Sequence, residues 1–261
     1  LGNIVDRRVN SSELIAKGYL VPVLIVMYFR RPNIVKFIER YPDIKLEAGG
    51  KKLYDKLREF LFLYDEERLR DAVEVASIVP KPGVFILNDI SPTLKMEKLL
   101  SGAGSRVESM IGLMSGEKRK QVLDKIREGK LDFVVTTKLF NEGVDVPALR
   151  SVVIMDGALS PVLILQRVGR VARPFPDKRF GVVVDFVDDT YYFRLHAVLR
   201  WMLYRSEPYW AVARTRSIAG VRSAIRHFEE LNLDKGKMAK LFREIGSRRN
   251  WKAVLNILMN L

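Results

Sequence analysis

The stretch Ser160-Pro-Val-Leu-Ile-Leu-Gln-Arg-Val-Gly-Arg-Val-Ala-Arg-Pro174 gathers side chains suited to an anion. On a helix, Gln166, Arg170 and Arg173 stand at i, i+4 and i+7 and share one face, while Ile164, Val168 and Val171 share roughly the opposite one. Guanidiniums are always charged and fork-shaped, which suits them to neutralising a phosphoryl group in transfer. A solvated basic helix face would carry the same pattern. A second stretch, Val135-Thr-Thr-Lys-Leu-Phe-Asn-Glu-Gly-Val-Asp-Val-Pro147, directly follows a candidate buried strand. In an open parallel sheet the loops at the carboxyl ends of strands form the ligand crevice. Thr136 and Thr137 offer hydroxyl and backbone N–H groups to phosphate oxygens, Gly143 allows a tight bend, and Asp145 is an acceptor for ribose hydroxyls or a cation. An ordinary strand-end turn with a capping threonine uses the same residues.

Both stretches need a scaffold, and short apolar runs alternating with amphipathic ones supply it. Candidate strands are Val21–Phe29, Gly83–Leu87, Met110–Met114, Asp132–Val135, Ser151–Met155 and Gly181–Phe186, continuous apolar runs of the kind buried between two helical layers. Helices are predicted over Thr93–Leu100, Glu117–Arg127 (Ser115 as cap) and Pro161 to about Ala172, with Ser160 as cap and Pro161 in the first turn. Residues 51–78 read as one long or two consecutive helices, with Leu53, Leu57, Phe60, Leu61 and Tyr64 on one stripe. The fold class is α/β, a parallel-sheet domain followed from Tyr191 by an all-helical extension.

Composition excludes several alternatives. The chain has 261 residues with no cysteine and two histidines, His196 and His227, so neither a disulfide framework nor a thiolate or histidine metal site is available. Its longest apolar runs fall short of the roughly 20 residues that a membrane span needs. A cytoplasmic protein without a membrane partner is the expectation. The net charge is +14, and residues 191–261 hold 14 Lys/Arg against 5 Asp/Glu. Such a field attracts polyanions, nucleic acid first among them. Tyr191, Tyr192, Phe193, Trp201, Tyr204, Tyr209 and Trp210 sit among these arginines and either stack on bases or seal the extension against the sheet. Residues 237–260 read as two amphipathic helices, open to a helix-turn-helix or to generic packing.

Together the two stretches resemble motifs V and VI of superfamily 2 helicases. Gly83-Val-Phe-Ile-Leu-Asn88 looks like motif IV, and Arg179-Phe-Gly-Val-Val-Val-Asp-Phe-Val-Asp188 like the closing strand of the branch that includes XPB and UvsW. The resemblance covers roughly residues 1–205. It implies a C-terminal RecA-like motor domain over 31–190, preceded in 1–30 by a segment leaving a first motor domain and the opening strand, and followed in 191–261 by the basic extension. It further implies that Arg170 and Arg173 are arginine fingers and that Gln166 contacts the nucleotide or the first domain. Gly143 and Asp145 would line the ribose, and Thr136, Thr137 and Asn88 would touch the backbone of a nucleic acid, DNA before RNA. Arg167 lies off the polar face and is assigned to structure or an interface.

No Gly-x-x-x-x-Gly-Lys-[Ser/Thr] phosphate loop and no Asp-Glu-x-[His/Asp] box occurs in the sequence. ATP and Mg²⁺ are therefore expected to bind mainly on a first motor domain, and this chain alone is expected to be inactive. The rival expectations are a non-catalytic RecA-like nucleic-acid-binding or regulatory module, and a nuclease subunit using the same motor.

Overall fold

A computed structural model of the chain describes residues 14, 18–46, 50–137, 146, 148–157, 160–207 and 210–230. All six expected strands form, as β1 (Val23–Arg30), β2 (Gly83–Ile86), β3 (Val107–Met110), β4 (Phe133–Thr136), β5 (Ser151–Ile154) and β6 (Gly181–Asp188). A seventh, β7 (Trp210–Thr215), joins them in one sheet of order β3-β4-β2-β5-β6-β1-β7. Every pairing in it is parallel.

Helices cover both faces. They are α1 (Ile34–Arg40), α2 (Gly50–Glu59), α3 (Glu66–Ala76), α4 (Ile90–Gly102), α5 (Gly116–Arg127), α6 (Pro161–Val171), α7 (Tyr191–Ser206) and α8 (Ile218–Glu230), with a π-helical turn at Phe60–Tyr64 after α2. Side chains of a strand alternate between faces, and β1 shows the result. Val23, Ile25 and Met27 join a core with α5, α6 and α7, whereas Leu24, Val26 and Tyr28 join one with α3, α4 and α8. A third cluster ties α1, α2 and the π turn to Phe193 of α7.

Two expectations need correction. β3 lies three residues earlier than read, because Ile111–Met114 is a turn closed by the Met114 N–H donating to the Ile111 carbonyl at 3.1 Å. Polar Glu108 and Ser109 hid this edge strand from an apolar-run criterion. The extension after Tyr191 is not all-helical, since Trp210–Thr215 pairs in parallel with Val23–Tyr28. A six-residue edge strand carrying two alanines has little apolar signal of its own, and the backbone of β1 makes it a strand. Three aromatics of α7 seal rather than protrude: Phe193 and Tyr204 are buried, and Trp201 packs against the core. Among the described residues, no helix is long and apolar enough to cross a membrane. Residues 237–260 lie outside the described ones.

Candidate functional site

Strands β2 and β5 are neighbours, yet α4 leaves β2 onto one face of the sheet and α6 leaves β5 onto the other. A crevice opens at the carboxyl ends of two strands whose connections diverge in this way. Asn88 and Asp156 stand there, and the Asn88 Nδ2 donates to the Asp156 carbonyl at 2.8 Å.

The local sequence dictates α6. The Ser160 hydroxyl accepts from the Leu163 N–H, and Pro161, which lacks an N–H, occupies the first turn where none is needed. Ile164, Val168 and Val171 face the core with at most 1% exposure. That burial turns the opposite side outward, leaving Gln166 exposed and Arg170 and Arg173 half-buried. At the far end, a Cβ on Gly181 would lie 2.4 Å from the Val171 carbonyl oxygen, so only glycine lets β6 start this close to the helix terminus.

Arg167 anchors the helix. Its guanidinium makes two parallel bonds to the Asp156 carboxylate, at 2.8 and 2.6 Å, with both side chains at most 4% exposed. Bidentate geometry is the strong form of this pair. Asp156 thereby joins the two candidate regions, holding α6 through its carboxylate and Asn88 through its carbonyl. Beside it, the buried Asp185 of β6 accepts from Arg200 Nε at 2.8 Å and from the Tyr204 hydroxyl at 3.0 Å, fixing α7 to the same sheet end. Arg30, Asp65, Arg68 and Asp188 form a further buried ionic cluster between β1, α3 and β6.

Lys178, in the turn after α6, is also buried, and its Nζ donates to the Arg173 carbonyl at 2.8 Å. Burial, with the charges of Arg150 and Arg173, pushes its ammonium down to about 7. The unfolded chain therefore binds more protons than the folded one between about pH 7 and the ordinary lysine value near 10.4, so this residue's contribution to stability grows with pH across that window and is lost as pH falls to about 7. Denaturant unfolding at about pH 7 and about pH 9.5 should show the wild type gaining on Lys178→Met at the higher value. Parallel pH slopes for the two proteins would contradict the buried placement.

The sequence-derived residues fare differently. Gln166 and Arg170 stand one turn apart on the outward side of α6, whereas Arg173 lies two residues past the end of the helix, in the bend that follows the cap Ala172. Thr136 is fully buried, and its hydroxyl donates to the Met110 carbonyl at 2.7 Å, so it serves β3 and β4 rather than a surface ligand. Thr137, at the next position, is also buried, with 9% exposure at the strand end. Gly143 and Asp145 lie outside the described residues. Asp156 was missed, although an aspartate two residues past a buried apolar strand is a signal in itself. Among the described residues, no group of three or more His, Cys, Asp or Glu side chains is arranged to hold a metal ion.

Residues 70–174 match the helicase conserved C-terminal domain family. The chain is 25% identical over 181 residues to putative helicase 22 of Sulfolobus islandicus filamentous virus, covering 69% of this chain and 32% of that protein. It is 30% identical over 161 residues to DEAD-box ATP-dependent RNA helicase 29 of Oryza sativa subsp. indica, covering 60% of this chain and 18% of that one. It thus spans about a third or less of the length of these relatives. The crystal structure of T4 UvsW shares the fold, with a TM-score of 0.57 and 19% identity over 74% of this chain and 42% of its own. Residues 70–174, from α3 to the end of α6, thus match a helicase conserved C-terminal domain, and the seven-stranded parallel sheet that holds them has the RecA-like fold of the C-terminal domain of superfamily 2 helicases.

Proposed function

We propose that the chain is the second motor domain of an ATP-dependent helicase or translocase, and that it completes an ATP site whose phosphate loop belongs to a first motor domain of the same protein. The observation that carries this reading is the two-sided build of α6: an apolar back sunk in the core, a bidentate Arg167–Asp156 anchor, and Gln166 and Arg170 on the other side, with Arg173 two residues past the helix end. Residues so placed fit a nucleotide's phosphates, since the helix is pre-oriented and two guanidiniums are delivered to one side. Bound ATP supplies the phosphoryl group; Arg170 and Arg173 neutralise the charge that develops on it, and Gln166 contacts the nucleotide or the first domain. Gly143 and Asp145 are assigned to the ribose side.

The second half of the function is a grip on single-stranded nucleic acid across the carboxyl ends of β2 and β4. Thr137 and Asn88 are assigned to the backbone there, and Thr136, whose hydroxyl is already bonded to the Met110 carbonyl, to a supporting role. Backbone contacts position a strand without reading its bases. The basic charge of the chain leaves the polymer open and the rice relative is an RNA helicase, so both DNA and RNA belong in every assay.

Residues 1–261 alone should hydrolyse no ATP above background with single-stranded DNA or RNA present. The same chain joined to a phosphate-loop motor domain should show hydrolysis stimulated by nucleic acid. Turnover by the isolated chain would overturn this reading. Strand binding without turnover in the joined protein would replace it with a non-catalytic module.

A further inference from the structure

The carboxyl-end crevice does not stop at Asn88. A small recess lined by Leu87, Asn88 and Met155 shares Leu63 and Asp65 with a larger hollow of about 360 Å³. The π turn builds the shared wall. On a continuing α-helix Tyr64 would fall on the stripe of Leu57, Phe60 and Leu61, which is buried. The wider π turn rotates it away from that stripe, and Tyr64 is 40% exposed.

The exposed ring is not bare. Arg40, the last residue of α1, lays its guanidinium carbon 3.3 Å from the centre of the Tyr64 ring while remaining exposed to solvent. A planar cation is thus held on an aromatic face at the mouth of the hollow. Lys36, one turn earlier on α1, and Lys95 of α4 stand around it. Their ammoniums pair with Glu67 at 3.0 Å and Glu66 at 2.6 Å, and all four side chains are well exposed. Exposed pairs of this kind contribute little, so a phosphate can compete for the lysines.

We propose that Arg40 and Tyr64 form a stacking platform for one base of a single-stranded nucleic acid, with Lys36 and Lys95 taking the flanking phosphates. The inference rests on the nucleic-acid grip proposed above and extends its path from Asn88 to the π turn. Arginine planes and aromatic rings both accept bases face to face, without regard to sequence. The platform therefore tolerates any base, and its lysines add the salt-dependent part of the binding.

The test is fluorescence anisotropy of the full chain with short labelled oligo-dT and oligo-U at several salt concentrations. Arg40→Ala and Tyr64→Leu should each weaken binding by about 5- to 100-fold and leave the salt slope unchanged. Tyr64→Phe, which keeps the ring, should bind as the wild type does, and circular dichroism of Tyr64→Leu reports any folding effect of the leucine. Lys36→Gln and Lys95→Gln should each flatten the log–log salt slope by about 0.7. Replacing successive nucleotides by abasic ones should locate one position where the wild type loses affinity and Tyr64→Leu loses nothing more. Wild-type binding that survives Arg40→Ala and Tyr64→Leu within twofold would overturn the platform alone. Failure of the wild-type chain to bind either oligonucleotide would overturn the platform and the grip together.

Discussion

In the complete two-domain enzyme, Arg170→Ala and Arg173→Ala are each expected to lower ATP turnover on the order of 10³-fold, the lower end for arginine fingers. The size follows from where the charge sits. Arg170 stands on the last turn of a helix whose back is locked in the core and Arg173 just past its end, so both are held near their working positions before reaction. Affinity for ATP should change much less than turnover, since the charge they neutralise develops in the transition state. Steady-state hydrolysis with saturating single-stranded nucleic acid, together with nucleotide titration, separates the two effects. Near-normal turnover in both variants would reduce the face to a solvated basic surface.

Asp156→Ala is expected to destabilise the chain by about 3–5 kcal/mol, because it leaves the Arg167 guanidinium buried and without its bidentate partner. The pair is almost fully sequestered, so solvent screening gives little relief. The double variant Asp156→Leu with Arg167→Met should recover most of that loss, since a buried pair exchanged for apolar side chains of similar size is often close to neutral. Urea unfolding of the three proteins tests this directly. A loss below about 1 kcal/mol for Asp156→Ala would mean that the pair behaves as a surface one. In the complete enzyme the double variant has a second use. It keeps α6 folded but removes its anchor, so a fall in turnover without a fall in stability assigns Arg167 to holding the fingers in place.

The contrast between Arg167 and Arg170 shows what a sequence discloses here. Helical spacing separates them by face, and Ser160 with Pro161 marks where the helix begins, so the outward pair Gln166 and Arg170 was legible without coordinates, while the helix end at Val171 left Arg173 off that face. What Arg167 does on the inward side depends on Asp156, which lies across a strand end and is joined to it only by tertiary packing. The Thr-Thr pair illustrates a finer limit. The pair reads as one exposed strand end, yet both threonines are buried and β4 extends through Thr136, whose hydroxyl donates to the Met110 carbonyl. Tyr64 fails for another reason: a π turn shifts the helical phase by one residue, and no residue type announces it. β7 was missed because edge strands borrow their stability from a neighbour, and alanine-rich Trp210–Thr215 carries little signal without β1.

The placement of β7 also changes how the basic extension must be studied. Removing everything after residue 209 would strip a strand from the sheet and, with Val221 and Ile225, part of a core. A cut after Glu230 spares both while still removing seven of the Lys/Arg residues of the extension.

The most direct measurement is a structure of the full-length protein with ADP and a metal fluoride that mimics the transferring phosphoryl group. The account predicts the guanidinium of Arg170 or Arg173 at about 2.7–3.1 Å from the mimic, across the cleft from the phosphate loop, with Arg167 still on Asp156. Both outward arginines facing solvent while the mimic is bound and the cleft closed would contradict it.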